Sequence, residues 1–287
     1  MEKEFKPKTR EELEELVENE SINLGDIDTS LITDMSELFK DSKRKDFSGI
    51  ETWDTSNVVN MERIFYDALF FNHNINNWNV SKVENMRSMF REAESFNQPL
   101  DSWDVSNVKD MGFMFYEAKS FNQPLNNWNV SNVENMSYMF EMAKKFNQNI
   151  NNWNVSKVEN MRSMFREAES FNQPLDSWNV SNVEDMDSMF YKAKKFNQNI
   201  NNWNVSKVKT MEYMFYKAEN FNQPLNNWDV SNVKDMDNMF EMAKKFNQNI
   251  NDWNVSKVKT MECMFCEAEN FNQPLDNWDT SHVMNMR

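Results

Sequence analysis

The sequence predicts an α/β solenoid: a curved array of about ten 25-residue strand–helix coils behind an N-terminal capping helix. Three observations predict it. All ten tryptophans fall on one register, Trp53, Trp78, Trp103, Trp128, Trp153, Trp178, Trp203, Trp228, Trp253 and Trp278, each 25 residues from the next. Within each unit the apolar period switches once, from two to that of a helix. Apart from Pro7, proline is confined to one return position per coil, at Pro99, Pro124, Pro174, Pro224 and Pro274, where its missing N–H costs nothing. A fixed period of this size marks an array whose core grows in one dimension.

Residues 1–26 read as a leader and capping helix, and residues 27–287 as the solenoid. TREELEELVEN, Thr9 to Asn19, is amphipathic and carries its own capping box at Thr9 and Glu12, so it is placed to cover the first coil. That coil, DIDTSLITDMSELF (Asp28 to Phe39), has Ile27 in the Trp position and precedes its counterpart by 26 residues, a one-residue slip.

A full unit runs from Phe121 to Lys145. Trp128 and Val130 alternate with Asn127, Asn129 and Ser131, as in a short strand with one buried face. Val133, Met136, Met139, Phe140 and Ala143 then form the stripe of an α-helix about three turns long. Ser131 fits as its N-cap, with Glu134 completing a capping box that Lys109 and Lys209 replace in other units. F-N-Q-P/N-L/I returns the chain to the next strand. From about Phe146, FNQPL alternates with FNQNI, which suggests duplication of a two-coil block. Strands stack at about 4.8 Å and helices at about 8–10 Å, so the array should bend with strands inside and helices outside. The last unit stops at Met286-Arg287 with its helix incomplete, which reads as a truncated or longer array, or as an end that pairs with another chain.

The balance of 39% hydrophobic and 27% charged residues, with 23 Phe, supplies an ordered core rather than a disordered chain. A formal charge of −15 opposes sequence-independent nucleic-acid binding and docking on anionic membranes. No run of about 18 apolar residues is present, so no membrane insertion is expected. MEKEFKPKTR lacks the apolar core of a signal peptide. The chain is therefore cytoplasmic as it stands, or at the cell surface if a leader lies outside this sequence.

The pattern W-N-V-S-N-V-x-x-M-x-x-M-F-x-x-A-x-x-F-N-Q-P-L, from Asp28 to Arg287, resembles the 25–26-residue bacterial surface repeat of BspA-like leucine-rich-repeat proteins. The resemblance implies a leucine-rich-repeat-like solenoid. It also implies surface or host-interaction roles for some members.

Candidate sites are few. The Met and Phe stripes, as at Met86, Met89 and Phe90, read as core. The Asn after each opening Phe (Asn72, Asn97, Asn122, Asn147 and their equivalents) should form a hydrogen-bonded ladder between coils. Cys263 and Cys266 form a lone C-x-x-C in slots that vary between units, which disfavours a metal or redox role. The recurrent N-V-S tripeptides match a glycosylation pattern but recur because the strand does. No phosphate-binding glycine loop, H-E-x-x-H or nucleophile elbow is present, so no catalytic residue and no cofactor is expected.

What varies is more informative. The six tyrosines occupy two slots flanking the helix: Tyr138 and Tyr213 in one, Tyr66, Tyr116, Tyr191 and Tyr216 in the other, joined by Phe113. Such residues suit an interface, or pack between neighbouring helices. The outward strand residues Asn79, Asn129, Asn154, Asn179 and Asn204 form a second candidate surface. The expected function is a non-catalytic scaffold for protein binding or adhesion with an unidentified protein partner. The alternative is a self-assembling array that propagates through the open C-terminal coil.

Overall fold

The computed structural model describes residues 3–286. Its one α-helix, α1 (Arg10–Glu18), lies where the N-terminal cap was expected. The Thr9 hydroxyl accepts from Glu12 N, while the Glu12 carboxylate reaches Lys8 N at 2.6 Å, one residue earlier than a capping box requires. Leu13 and Val17 are buried against the first coil. The C-terminal end is tied down by Arg44, which donates to Val17 O at 3.1 Å and Ile22 O at 2.6 Å. Arg10 holds the other end, donating to Ser36 O at 2.6 Å.

The tandem 25-residue coils are present and their register is as expected. Asp34 bridges Asn60 across the one-residue slip, and each later bridge, from Asn60 to Asn85 onward, joins residues 25 apart in parallel. The strand–helix content is not. Residues 111–118, expected as helix, are a run of turns, and no α-helix other than α1 occurs among the described residues.

The backbone hydrogen bonds give the reason. Met111, Phe113, Phe115 and Glu117 donate to Asn135, Ser137, Met139 and Glu141 O of the next coil at 2.8–3.0 Å. Met114, Tyr116 and Ala118 donate within the coil to Met111, Phe113 and Phe115 O at 3.0–3.2 Å. Alternate N–H groups thus leave the coil, so the i→i−4 bonds of a helix cannot form. Phe113 and Glu117 have φ of 59° and 53°, the positive value required at the third position of a type II turn. Turns of this kind alternate with turns lacking a positive φ, and together they bury the same i, i+3, i+4, i+7 positions that a helix would.

The W-N-V-S segment is likewise not a strand. Asn129 Oδ1 accepts from Ser131 N at 3.2 Å, an Asx turn. Ser131 is therefore not a helix N-cap, and Glu134 N donates to Lys109 O in place of a capping box. Each indole also reaches the previous coil: Trp128 Nε1 donates to Leu100 O at 2.9 Å. The expected asparagine ladder is present. Asn122 Oδ1 accepts from both Asn147 N at 2.9 Å and Gln148 Nε2 at 3.0 Å, and the pattern repeats from Asn72 to Asn272.

Rings of neighbouring coils stack nearly parallel in three columns. Equivalent centroids lie 5.6 Å apart for Phe115 and Phe140, 6.1 Å for Phe121 and Phe146, and 6.3 Å for Trp128 and Trp153. Direct backbone pairing holds the ladder side near the strand spacing of about 4.8 Å, whereas asparagine side chains mediate contact at the F-N-Q corner. The coils therefore fan open from the ladder toward the tryptophans. The expected arc is inverted, because the segment assigned to outer helices is the tight, inner side.

At the C-terminal end Phe271, Leu275 and Trp278 are only half-buried, and Met284 is 81% exposed. Met261, Met264, Phe265, Leu275 and Trp278 line a cavity of about 500 Å³ there. Among the described residues, the Phe265 and Glu267 N–H groups have no acceptor.

Candidate functional site

The ladder turns project side-chain columns outward, one residue per coil in each, and two of them contain the aromatic candidates. The fifth residue after the first Met gives Tyr66, Arg91, Tyr116, Glu141, Arg166, Tyr191 and Tyr216 in order. The second residue contributes Phe113, Tyr138 and Tyr213. All seven aromatic candidates are half-buried, and the coil spacing brings them into contact.

Arg91 lies between Tyr66 and Tyr116, its guanidinium 5.2 and 4.5 Å from the ring centroids. It is also 5.2 Å from Phe113, which stacks on Tyr138 at 4.3 Å. Arg162 donates to the Tyr138 hydroxyl at 2.9 Å and to Asp187 Oδ2 at 2.7 Å. Farther on, Arg166 pairs with Glu141 at 3.2 Å and covers Tyr191 at 4.0 Å. Tyr191 stacks on Tyr216 at 4.5 Å, and Tyr213 meets Tyr216 edge-on at 5.6 Å. The candidates thus form a strip along the inner face, cemented by arginines that the sequence reasoning passed over. Arg91, Arg166 and Glu141 stand in the tyrosine slot itself, so reading whole columns rather than tyrosines would have found them.

Two titrations distinguish the strip. Burial raises the Glu141 carboxyl to about 7, and Glu167 and Glu117 add to that, although Arg166 opposes it. Its Oε2 is buried without a hydrogen-bond partner. Burial, with Glu141 and Glu117, pushes the Tyr116 phenol up to about 12, so it remains neutral. Beyond Arg162 the inner face turns acidic. The Asp187, Glu212 and Asp235 carboxyls are all raised from their ordinary values by burial first, with neighbouring carboxylates adding to it, while hydrogen bonds from Thr210 and from Asp237 N oppose the rise at Asp187 and Asp235.

The other candidates lie elsewhere. Asn79, Asn129, Asn154, Asn179 and Asn204 are exposed at the tryptophan segment, each accepting from the serine two residues on at 3.1–3.2 Å. Among the described residues, no hydrogen bond or ring contact joins them to the aromatic strip. Lys157, just beyond, is spent on Asn132 Oδ1 at 2.7 Å. Cys263 and Cys266 are joined by a disulfide inside one turn and cross-link no two coils.

A family model described as Mycoplasma protein of unknown function, DUF285, matches the chain over residues 11–128, 109–222 and 195–287. No curated protein matches it. Among the described residues, no helix is long and apolar enough to cross a membrane.

Proposed function

The chain belongs to the family described as Mycoplasma protein of unknown function, DUF285, and we propose that it is a non-catalytic scaffold that binds a protein partner along its ladder face. One observation carries this. The buried positions are nearly the same in each coil, whereas the half-exposed columns differ from coil to coil and collect Tyr, Phe and Arg in mutual contact. A coil needs none of that variety to stack. Tyr and Arg are the residues that dominate binding energy at protein interfaces, and here they are held in place before any partner arrives. The acidic stretch beside them favours a partner with basic side chains opposite. The likeness of the repeat to BspA-like leucine-rich-repeat proteins supports a finer form, adhesion at a cell surface.

The alternative reading is a self-assembling array, in which the coils of one copy stack on those of another. Light scattering is expected to give one concentration-independent mass, and growth with concentration would favour assembly instead.

A pull-down with the full chain as bait, against a charge-matched solenoid, tests the binding surface. Tyr191→Ser with Tyr216→Ser is expected to weaken capture about thirtyfold, the equivalent of one interface hot spot of about 2 kcal/mol, with the fold retained. Undiminished capture would exclude the strip. A collapse of stability would assign these tyrosines to packing.

A further inference from the structure

The alternation of FNQPL and FNQNI has no role in stacking, since Leu125 and Ile150 are equally buried. The outer corner of the coils carries grooves. One of about 570 Å³, between a Pro coil and the Asn coil after it, is lined by Pro124, Asn126, Gln148, Asn149, Asn152 and Ser177 among others, and one of the same volume at His73, Asn74, Asn76, Asn77 and Ser102 has no proline. A smaller groove of about 210 Å³ lies four coils on, at Pro224, Asn226, Gln248, Asn249, Ile250, Asp252 and Trp253, with Asp252 in the place of Asn152. Four Trp-to-Trp steps of 6.3–6.5 Å put the Pro124 and Pro224 grooves roughly 25 Å apart along a one-dimensional stack.

The amides of the larger groove are fixed at one end only. Gln148 Nε2 donates to Asn122 O at 3.0 Å, which leaves its Oε1. Asn149 Oδ1 accepts from Asn151 N at 2.9 Å, which leaves its Nδ2. Asn152 Nδ2 donates to Asn126 O at 2.7 Å, which leaves its Oδ1. Among the described residues these three atoms, one donor and two acceptors, have no hydrogen-bond partner. Held at their other ends, they lose little conformational freedom on binding.

The lining selects by chemistry. It contains no Lys or Arg, so it suits no phosphate, sulfate or carboxylate. In the larger groove Pro124 is the one apolar lining side chain, whereas Ile250 and Trp253 line the smaller one. Fixed amide donors and acceptors match a ligand whose groups donate and accept at once, as a hydroxyl does, and the proline edge can take a C–H face.

We propose that the Pro124 and Pro224 grooves bind a neutral, hydroxyl-rich saccharide chain, with successive stretches of one polymer entering both. Each contact is weak alone, and the repetition raises the affinity through a high effective concentration. This binding is separate from the protein-binding strip on the inner face.

The test is calorimetric titration of the full chain with cellohexaose, maltohexaose and chitohexaose, beside heparin and a neutral Ser/Gly-rich peptide of similar length. The informative variant is Asn149→Asp with Asn249→Asp. A carboxylate still accepts the Asn151 and Asn251 N–H, so the turns persist while the free donor disappears. Saturable binding of at least one neutral hexasaccharide is expected, weakened about tenfold or more in the double variant, with an unchanged melting curve. Binding should survive Tyr191→Ser, which separates this site from the strip. The proposal is overturned if no neutral sugar binds saturably, if only heparin or the peptide binds, or if the double variant binds as wild type does.

Discussion

Glu141 offers the sharpest test of the packing described for the inner face. Its carboxyl is raised from 4.5 to about 7 because burial outweighs the attraction of Arg166 at 3.2 Å, and Oε2 has no partner. A raised acid binds its proton more tightly folded than unfolded. Stability is therefore greatest below the unfolded value near 4.5 and falls as pH rises to about 7. At 1.36 kcal/mol per unit, the loss is on the order of 3 kcal/mol. Glu141→Gln keeps the shape and removes the titration. Urea unfolding at pH 5 and pH 8 should show the variant ahead by only about 1 kcal/mol at the lower pH. At pH 8 the variant should be more stable by up to about 3 kcal/mol. Repulsion among the other carboxylates weakens both proteins alike with rising pH and cancels in the difference. A difference that stays flat between pH 5 and 8, or a wild type that gains on the variant, would refute the claim that burial wins over the arginine.

Two further substitutions probe the coil itself. Asn147→Ala removes the acceptor of both Asn172 N and Gln173 Nε2, and should cost about 1–3 kcal/mol by leaving a half-buried N–H unpaired. Thermal unfolding reads this directly, and a loss below 0.5 kcal/mol, taking about 1 kcal/mol as the usual value of one bond, would mean that the asparagine ladder contributes no more than solvent does. Ser188 sits at φ 56°. Ser188→Gly should stabilise slightly and Ser188→Val should destabilise by about 1–3 kcal/mol, since β-branching is least tolerated in that region. Equal melting temperatures for the two variants would contradict the turn assignment.

The repeat, its slip at Asp34 and the asparagine ladder were legible because they depend on period alone. The helix was not, and the reason is physical. Val133, Met136, Met139, Phe140 and Ala143 carry the spacing of a helix face, but a run of overlapping turns, every second one with positive φ at its third residue, buries the same positions. Periodicity records which side chains face inward, not where the backbone N–H groups go. A signal did exist in the slots with positive φ. Arg63, Ser88, Phe113, Tyr138, Ser163 and Asn238 fill one of them, Glu92, Glu117, Met142 and Lys192 the other, and neither slot contains Val, Ile or Thr in any coil. An α-helix would tolerate those residues at a modest cost, so their exclusion from two fixed positions in each unit points to left-handed backbone.

That substitution of turns for helix also decides what the inner face can do. A helix spacing of about 8–10 Å would have kept Tyr191 from Tyr216 and Arg91 from Tyr116. The hydrogen-bonded turns draw adjacent coils close enough for rings to stack at 4.5 Å and for a guanidinium to lie 4.5 Å from a phenol ring. Each column then behaves as a linear string of side chains, in which a residue is supported by the coil before and the coil after. A substitution at Arg91 therefore affects Tyr66 and Tyr116 together, and Arg166 couples Glu141 to Tyr191. A surface whose side chains are rigid without a partner loses little entropy on docking. Under the proposed partner binding, specificity would lie in the order of residues along the column, which duplication of coils preserves and single substitutions edit.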